Sequence, residues 1–152
     1  MARAHDLEFE LDLPRAGWAR VTIVSRGERT SLLASYTPSD TIRELLAVGS
    51  FLSGPFTGQR TVVVNSEPQQ FDLVFTKEAA DPSRARLELV AYPDHRRTLG
   101  SGRPVLLVMA VARHLGSAIT SAVARVVATE GYRDVWGHEP PPPDDRGCER
   151  GG

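Results

Sequence analysis

The residues that could bind a metal ion or act as a nucleophile are few and widely separated in this sequence. They are one cysteine and four histidines, namely Cys148, His5, His95, His114 and His138. A metal site needs several such donors to converge, commonly at short spacings such as Cys-x-x-Cys, and no such spacing occurs. The Gly-x-Ser-x-Gly turn that exposes a nucleophilic serine is also absent. The sequence therefore predicts no cofactor and no catalytic residue, and we interpret the chain as a protein that is not an enzyme.

Lys77 is the only lysine in the chain. A lysine side chain becomes a good nucleophile when burial among apolar groups favours its neutral form. Because Glu78 follows it directly and a polar turn comes next, the sequence predicts that Lys77 is exposed. No covalent chemistry is therefore expected at this residue.

The densest cluster of positive charge lies in the segment Asp94-His-Arg-Arg97, and Arg103 follows a short distance along the chain. Arginine side chains can bind a carboxylate or a phosphate group through paired hydrogen bonds. Over the whole chain, however, 18 basic residues face 19 acidic ones, and a net charge of −1 argues against nucleic acid as the partner. We therefore predict that Arg96, Arg97 and Arg103 contact another protein.

A second charged cluster is the row formed by Glu8, Glu10 and Asp12, which alternates with apolar residues from Leu7 to Leu13. A period of two is typical of a β-strand with one face buried and the other in water. We predict that the three carboxylates contact a partner protein. Because they would repel a second copy of the same face, a homodimer that packs sheet against sheet is not expected, while other forms of homo-oligomer stay open.

Two aromatic residues follow the last predicted helix, in the segment Tyr132-Arg-Asp-Val-Trp136. One interpretation is that they anchor the end of the chain to the body of the fold, which is the commoner use of such residues. The other is that they belong to a partner-binding surface, because Tyr, Trp and Arg dominate the energetics of protein interfaces. Both Tyr132 and Trp136 are therefore included among the candidate contacts.

Alternating apolar residues predict the strands that position these side chains. The predicted strands cover residues 7–13, 18–25, 29–36, 61–64, 71–76 and 85–92, and a seventh begins at 105. The first three read as an antiparallel meander, because short turns join them.

Two helices are also predicted. Thr37-Pro-Ser-Asp40 is a helix-start signal, with Thr37 as the cap and Pro38 in the first helical position, and Gly54-Pro55 ends that helix. Apolar residues at helical spacing predict a second helix from Val111 to about residue 130. The predicted fold is α+β, with an antiparallel sheet of six to seven strands and two α-helices packed on one face, in the order βββ-α-βββ(β)-α.

Composition and length predict a single domain over residues 1–139. The chain has 152 residues, of which 41% are hydrophobic and 24% charged, as in ordinary globular proteins. Residues 140–152 begin with four prolines and continue with polar residues, which predicts a disordered tail. The longest apolar run, residues 105–112, is far shorter than the roughly 20 residues needed to cross a bilayer. We therefore predict a cytoplasmic protein with no membrane partner.

Two segments carry a resemblance to other proteins. They are Glu67-Pro-Gln-Gln-Phe-Asp-Leu-Val-Phe75 and Gly131-Tyr-Arg-Asp-Val-Trp-Gly-His-Glu-Pro140. Together with the alternating first strands and the Thr-Pro-Ser-Asp helix start, they resemble a group of small uncharacterised bacterial α+β proteins of about this length. The resemblance spans most of residues 6–140 and implies a fold without an activity. Such proteins are similar in size and layout to immunity proteins that neutralise toxins.

We therefore interpret the chain as a protein-binding module, with an immunity or accessory role in which its surface covers part of a partner. The alternative is a small-ligand-binding protein or minor enzyme with a pocket between the sheet and the helices. Four dispersed side chains would line such a pocket, namely Trp18, Tyr36, Tyr92 and His95.

Overall fold

The computed structural model describes residues 7–142 of the chain and contains seven strands and three helices. All seven predicted strands are present. The strand predicted at 18–25 has those bounds, the one predicted at 29–36 lies at 28–35, and the others begin earlier or end later than predicted. In chain order the elements are β1 (Leu7–Arg15), β2 (Trp18–Ser25), β3 (Glu28–Ser35), α1 (Thr41–Ser53), β4 (Gly58–Asn65), β5 (Gln70–Glu78), β6 (Asp81–Tyr92), β7 (Arg103–Val111), α2 (Ala112–Val127) and α3 (Tyr132–Trp136). Residues 143–152 of the predicted tail lie outside the described residues, as do His5 and Cys148.

The strands form two antiparallel sheets, one ordered β1-β2-β3 and the other β4-β5-β6-β7. The register places apolar residues side by side on the inner face of each sheet. In the larger sheet Leu73 lies between Val62 and Leu89, and all three side chains are buried. In the smaller sheet Val21 lies opposite Leu11 and Leu32 in the same way.

The prediction of a single sheet of six to seven strands is wrong, because no backbone ladder joins β3 to β4 within residues 7–142. The two strands still lie close to each other, and polar side chains bridge their ends. Asn65 Nδ2 donates to the carbonyl of Thr37 at 3.0 Å, and the Ser66 hydroxyl donates to the carbonyl of Leu33. Alternation identifies a strand, but it does not say which strands share a ladder.

Helix α1 begins at Thr41, later than the predicted start at Pro38, and Asp40 is its N-cap in place of Thr37. The Asp40 Oδ1 atom accepts the backbone N–H of Arg43 at 3.1 Å, which is the usual role of an N-cap carboxylate. The predicted end is confirmed, because the helix stops at Ser53 and Gly54 follows it as the C-cap.

Helices α1 and α2 pack closely against each other through two glycines. A Cβ atom at Gly116 would lie 2.9 Å from the carbonyl oxygen of Gly49, so the backbones approach closely only because both residues lack side chains there. Helix α2 also packs on β1 and β6, and α1 packs on β4. The two helices therefore cover the apolar faces of both sheets and enclose one hydrophobic core.

A third helix, which the sequence pattern did not predict, follows α2. Helix α2 ends at Val127, and α3 is a single short turn between Gly131 and Gly137, whose φ angles are 72° and 108°. Such positive φ angles favour glycine, so these two residues set the bounds of α3. The backbone N–H of Gly17 donates to the carbonyl of Val135 at 2.6 Å and joins α3 to the β1–β2 turn.

Candidate protein-binding site

The predicted arginine cluster lies in the connection between β6 and β7. We call residues 93–102 the arginine loop. Its own hydrogen bonds shape it, because the backbone N–H of Arg96 donates to Asp94 Oδ1 at 3.0 Å and the N–H of Ser101 donates to the carbonyl of Thr98 at 2.8 Å. An aspartate that accepts a hydrogen bond from the N–H two residues later is a typical turn-forming residue.

Arg97 anchors this loop to the outer face of the larger sheet. Its guanidinium donates to both carboxylate oxygens of Asp72, at 2.5 and 3.0 Å, and to Gln70 Oε1 at 2.9 Å. It also stacks 4.4 Å from the centre of the Tyr92 ring. These hydrogen bonds to Asp72 raise the pKa of the Arg97 guanidinium still further. Paired, stacked contacts of this kind are the strongest that an arginine makes in proteins.

The backbone of Arg97 has a φ angle of 50°, which a residue with a side chain adopts only at a cost. Such a conformation persists where surrounding contacts hold it, and here those contacts are the ones with Asp72, Gln70 and Tyr92. These contacts hold the loop against strand β5. Because its guanidinium is already engaged, Arg97 holds the loop in place, and a direct contact of Arg97 with a partner stays a prediction.

Arg96 and Leu99 are among the side chains that the anchored loop exposes, together with Pro93, His95 and Thr98. Leu99 is fully exposed. The ion pairs among residues 7–142 do not include Arg96. Arginine is one of the residues that dominate the binding energy of protein interfaces, so Arg96 is a candidate contact, and the exposed Leu99 adds apolar surface to the same loop.

Arg103 is exposed but lies apart from the loop's other arginines. It is the first residue of β7 and lies directly opposite the buried Ala91 in the β6–β7 register. Its side chain therefore leaves the backbone on the inner face of the larger sheet. Asp72, which binds Arg97, is on the outer face. The three arginines that the sequence groups together therefore divide into one anchor, one presented cation and one cation on the opposite face.

Two carboxylates of the acidic row have partners within the smaller sheet. Glu10 pairs with Arg29 at 2.7 Å, and Asp12 pairs with Arg20 at 3.2 Å. Arg20 is on the adjacent strand β2 and Arg29 is on β3, so the ion pairs extend across all three strands of this sheet. They favour association of the strands more than binding of a basic partner. Glu8 is exposed at the end of the same row.

Tyr132 and Trp136 are buried, so the prediction that they contact a partner is wrong and the anchoring interpretation holds. The indole N–H of Trp136 donates to Asp40 Oδ1 at 2.9 Å, the oxygen that also caps α1. His138 lies beside this pair, with its Nε2 atom 2.6 Å from the carbonyl oxygen of Tyr36. These contacts fix the end of the described chain to the start of α1.

The Tyr132 hydroxyl is buried and forms no hydrogen bond within the described residues. A buried polar atom without a partner costs about 1–3 kcal/mol. We therefore expect Tyr132→Phe to raise the free energy of unfolding by about 1 kcal/mol, measured by urea denaturation at pH 7. A decrease of that size would show that the hydroxyl does have a partner.

The same substitution tests a pH dependence. Burial raises the pKa of the Tyr132 phenol above its ordinary value near 10, and the Asp40 carboxylate adds to this effect. The folded state therefore holds the proton more tightly than the unfolded state, so this contribution to stability is complete below pH 10 and is lost as the pH rises further. Between about pH 9 and 11 the unfolding free energy of the native sequence should fall more steeply than that of Tyr132→Phe. Parallel pH profiles would contradict this assignment.

Lys77 is buried, with only 2% of its surface exposed, so the predicted exposure is wrong. Its Nζ donates to the carbonyls of Phe51, Leu52 and Gly54 at 3.1, 3.3 and 2.7 Å, at the C-terminal end of α1. A cation suits that end of a helix because its last carbonyls carry partial negative charge. Burial lowers the pKa of the Lys77 ammonium. All three of its hydrogens are nevertheless engaged, so the residue is a helix cap and not a free nucleophile.

The side chains expected to line a ligand pocket do not converge. Tyr36 packs against Gly137 and His138, whereas Tyr92 packs against Arg97 and Gly102. A cavity of about 180 Å³ does open beside Lys77, but none of the four predicted residues lines it. Among residues 7–142, no group of three or more His, Cys, Asp or Glu side chains is placed to bind a metal ion.

One exposed apolar surface was not predicted from the sequence, namely the outer face of the edge strand β7. Val105, Leu107 and Met109 point outward there, with 44%, 63% and 50% of their surfaces exposed. The signal was the uninterrupted apolar run from residue 104 to 112, which has no polar face for water.

Within residues 7–142, no helix is both long and apolar enough to cross a membrane.

No protein-family model, curated protein or solved structure matches this chain. The resemblance to small bacterial α+β proteins therefore stays a prediction.

Proposed function

We propose that this chain is a non-enzymatic protein-binding module whose arginine loop covers a site on a partner protein. The role would be that of an immunity or accessory protein, which acts by covering a site on its partner. The observation that carries the proposal is Leu99, which is fully exposed on a loop that Arg97 holds against the sheet. An exposed leucine on an ordered loop costs little conformational entropy to bury in a partner.

The loop favours a particular chemistry in the partner. Leu99 would enter an apolar pocket, and Arg96 would pair with a carboxylate at the rim of that pocket. Because the loop is held at Arg97 in advance, binding would need no large rearrangement of this chain. Covering the pocket would exclude the partner's own ligand, which is how surface occlusion inhibits.

Site-specific photocrosslinking in the native cells tests this proposal. A photoreactive residue in place of the exposed Thr98 should form an adduct with one defined protein. Adding Leu99→Glu or Arg96→Glu should reduce the yield of that adduct by about tenfold or more, as for interface hot spots. Arg103→Ala is the control, since this arginine is also exposed but lies on the opposite face, and it should leave the yield unchanged.

Two outcomes would contradict the proposal. One is the absence of any adduct above the background seen with the same photoreactive residue at Val63, which is exposed on β4. The other is an adduct whose yield does not depend on Leu99. An adduct with twice the mass of this chain would report self-association and would not support a partner at this loop.

A further inference from the structure

A small cavity lies where the C-terminal end of α1 meets the N-terminal end of α2, beside the β5–β6 turn. Its volume is about 180 Å³. The polar side chains that line it are those of Ser53, Lys77, Ser83 and Arg113. Two of them are cations, and none of the described residues that line the cavity is a carboxylate. The walls of this cavity are therefore positively charged.

The ammonium group of Lys77 is a buried charge that has no counter-ion among residues 7–142. Only 2% of the residue is exposed, and the three groups that accept its hydrogens are neutral carbonyls. The ion pairs of the described chain do not include it. Carbonyl groups satisfy the hydrogens of an ammonium group without neutralising its charge, and a buried charge is costly unless an opposite charge lies nearby. An anion in the adjoining cavity would supply that opposite charge.

The first turn of α2 adds further positive charge to the same cavity. Its N-cap is Val111, which makes no side-chain hydrogen bond, and the turn contains no acidic residue. The first N–H groups of this helix, those of Ala112, Arg113 and His114, therefore have no capping side chain, whereas Asp40 caps α1. A cation such as Arg113 is normally unfavourable at this end of a helix, because the helix dipole is already positive there.

We propose that this cavity binds a phosphate group, either as free phosphate or as the phosphate ester of a small molecule. Arg113 and the first N–H groups of α2 would donate to its oxygens. Lys77 would act through its charge alone, because its hydrogens already bind the carbonyls of α1. The exposed Ser53 hydroxyl can donate as well. The Ser83 hydroxyl already donates to Asp81 at 2.9 Å and would contribute only to the shape of the cavity.

The size and the charge of the cavity favour a phosphate group over other anions. Pockets that hold drug-sized ligands measure about 300–1,000 Å³, so a cavity of about 180 Å³ admits only a small group. A phosphate ester carries a charge of about −1.5 to −2 at neutral pH, which matches several converging positive groups better than the single charge of a carboxylate. The cavity and the arginine loop lie at opposite ends of β6, so this proposal does not depend on the function proposed for the loop.

Titration of the full chain with inorganic phosphate, followed by NMR of the backbone N–H groups, tests the proposal. The signals of Ala112, Arg113 and His114 should shift in a saturable way, with a dissociation constant of about 1 mM or lower. Potassium chloride at the same ionic strength should not produce these shifts. Methyl phosphate is the second probe, and tighter binding of methyl phosphate than of inorganic phosphate would identify an ester as the natural ligand.

Substitutions of exposed residues test the assignment, since replacing Lys77 would also remove the cap of α1. Arg113→Gln should raise the dissociation constant by about tenfold. Arg125→Gln is the matched control, because it removes the same charge from an exposed position at the other end of α2 and should leave binding unchanged. Ser83→Asp adds a negative charge to the wall of the cavity and should abolish the saturable shift, whereas the neutral Ser83→Asn, which is of the same size as the aspartate, should keep it.

Three results would overturn the proposal. The first is the absence of a saturable shift in the native sequence at phosphate concentrations about tenfold above the expected dissociation constant. The second is equal weakening by Arg113→Gln and Arg125→Gln, because binding would then depend on net charge alone. The third is equal loss of binding in Ser83→Asp and Ser83→Asn, because the charge of the cavity would then have no part in it.

Discussion

Replacing Gly116 by alanine should destabilise this protein by about 2 kcal/mol, although alanine is normally the better helix residue by about 1 kcal/mol. The reason is the close contact between α1 and α2. A Cβ atom at this position would lie 2.5 Å from Ser53 Oγ, 2.9 Å from the Gly49 carbonyl oxygen and 3.1 Å from Leu52 Cβ. The backbone oxygen cannot move without separating the helices, so the cost exceeds the gain in helix propensity. Urea denaturation followed by circular dichroism measures the change.

Two variants serve as controls for this prediction. Ser117→Ala lies one position further along α2 and is exposed, so it should change stability by only a few tenths of a kcal/mol. Gly49→Ala should cost less than Gly116→Ala, because its closest contact, at 2.5 Å, is the side chain of Thr120, which can rotate away. If Gly116→Ala were as stable as the native sequence, the two helices could not pack as closely as described.

The second large effect is expected at Asp40. Removing its carboxylate with Asp40→Ala should lower the unfolding free energy by about 2–4 kcal/mol. One part of this loss is the N-cap of α1, and the other is the indole N–H of Trp136, which would be left buried without an acceptor. Because one oxygen serves both contacts, a single substitution weakens two elements that are far apart in sequence.

The conservative variant Asp40→Asn separates this assignment from a simple effect of charge. Asparagine keeps an oxygen that can accept both hydrogen bonds, so it should lose only about 1 kcal/mol or less. Asp134→Ala, which removes an exposed carboxylate from α3, should have little effect. In a Trp18→Phe background, fluorescence reports on Trp136 alone and should change on Asp40→Ala. Equal losses from the alanine and asparagine variants would contradict the role given to the oxygen.

Strand and helix positions were largely predictable because they follow from local periodicity. Seven alternating or apolar segments became seven strands, and the helix-start and helix-stop signals near Asp40 and Gly54 placed α1 to within a few residues. The short helix α3 was missed, because five residues between two glycines are too few to show a period. The exposure of Lys77 was mispredicted from its neighbours in sequence, whereas its burial depends on α1, more than 20 residues earlier in the chain.

The candidate site was predictable only in part. The cluster of arginines was visible in the sequence. Which arginine is held against the sheet and which is exposed was not, because Arg97 binds Gln70 and Asp72 on the distant strand β5. Leu99 was not predicted as a contact residue, because a single leucine in a loop forms no periodic pattern. The structure shows that Leu99 is exposed on a loop that Arg97 binds to the sheet.

Local patterns in the sequence specify an α+β chain with its strands and its two main helices, because hydrophobic alternation and capping signals act between near neighbours. Contacts between distant parts of the chain divide the strands into two sheets, bury Trp136 beside Asp40 while Leu99 stays exposed, and leave β7 as an edge strand whose residues 104–111 carry no charge. Those outcomes depend on contacts between residues far apart in the chain, and composition and periodicity carry no record of which distant residues meet.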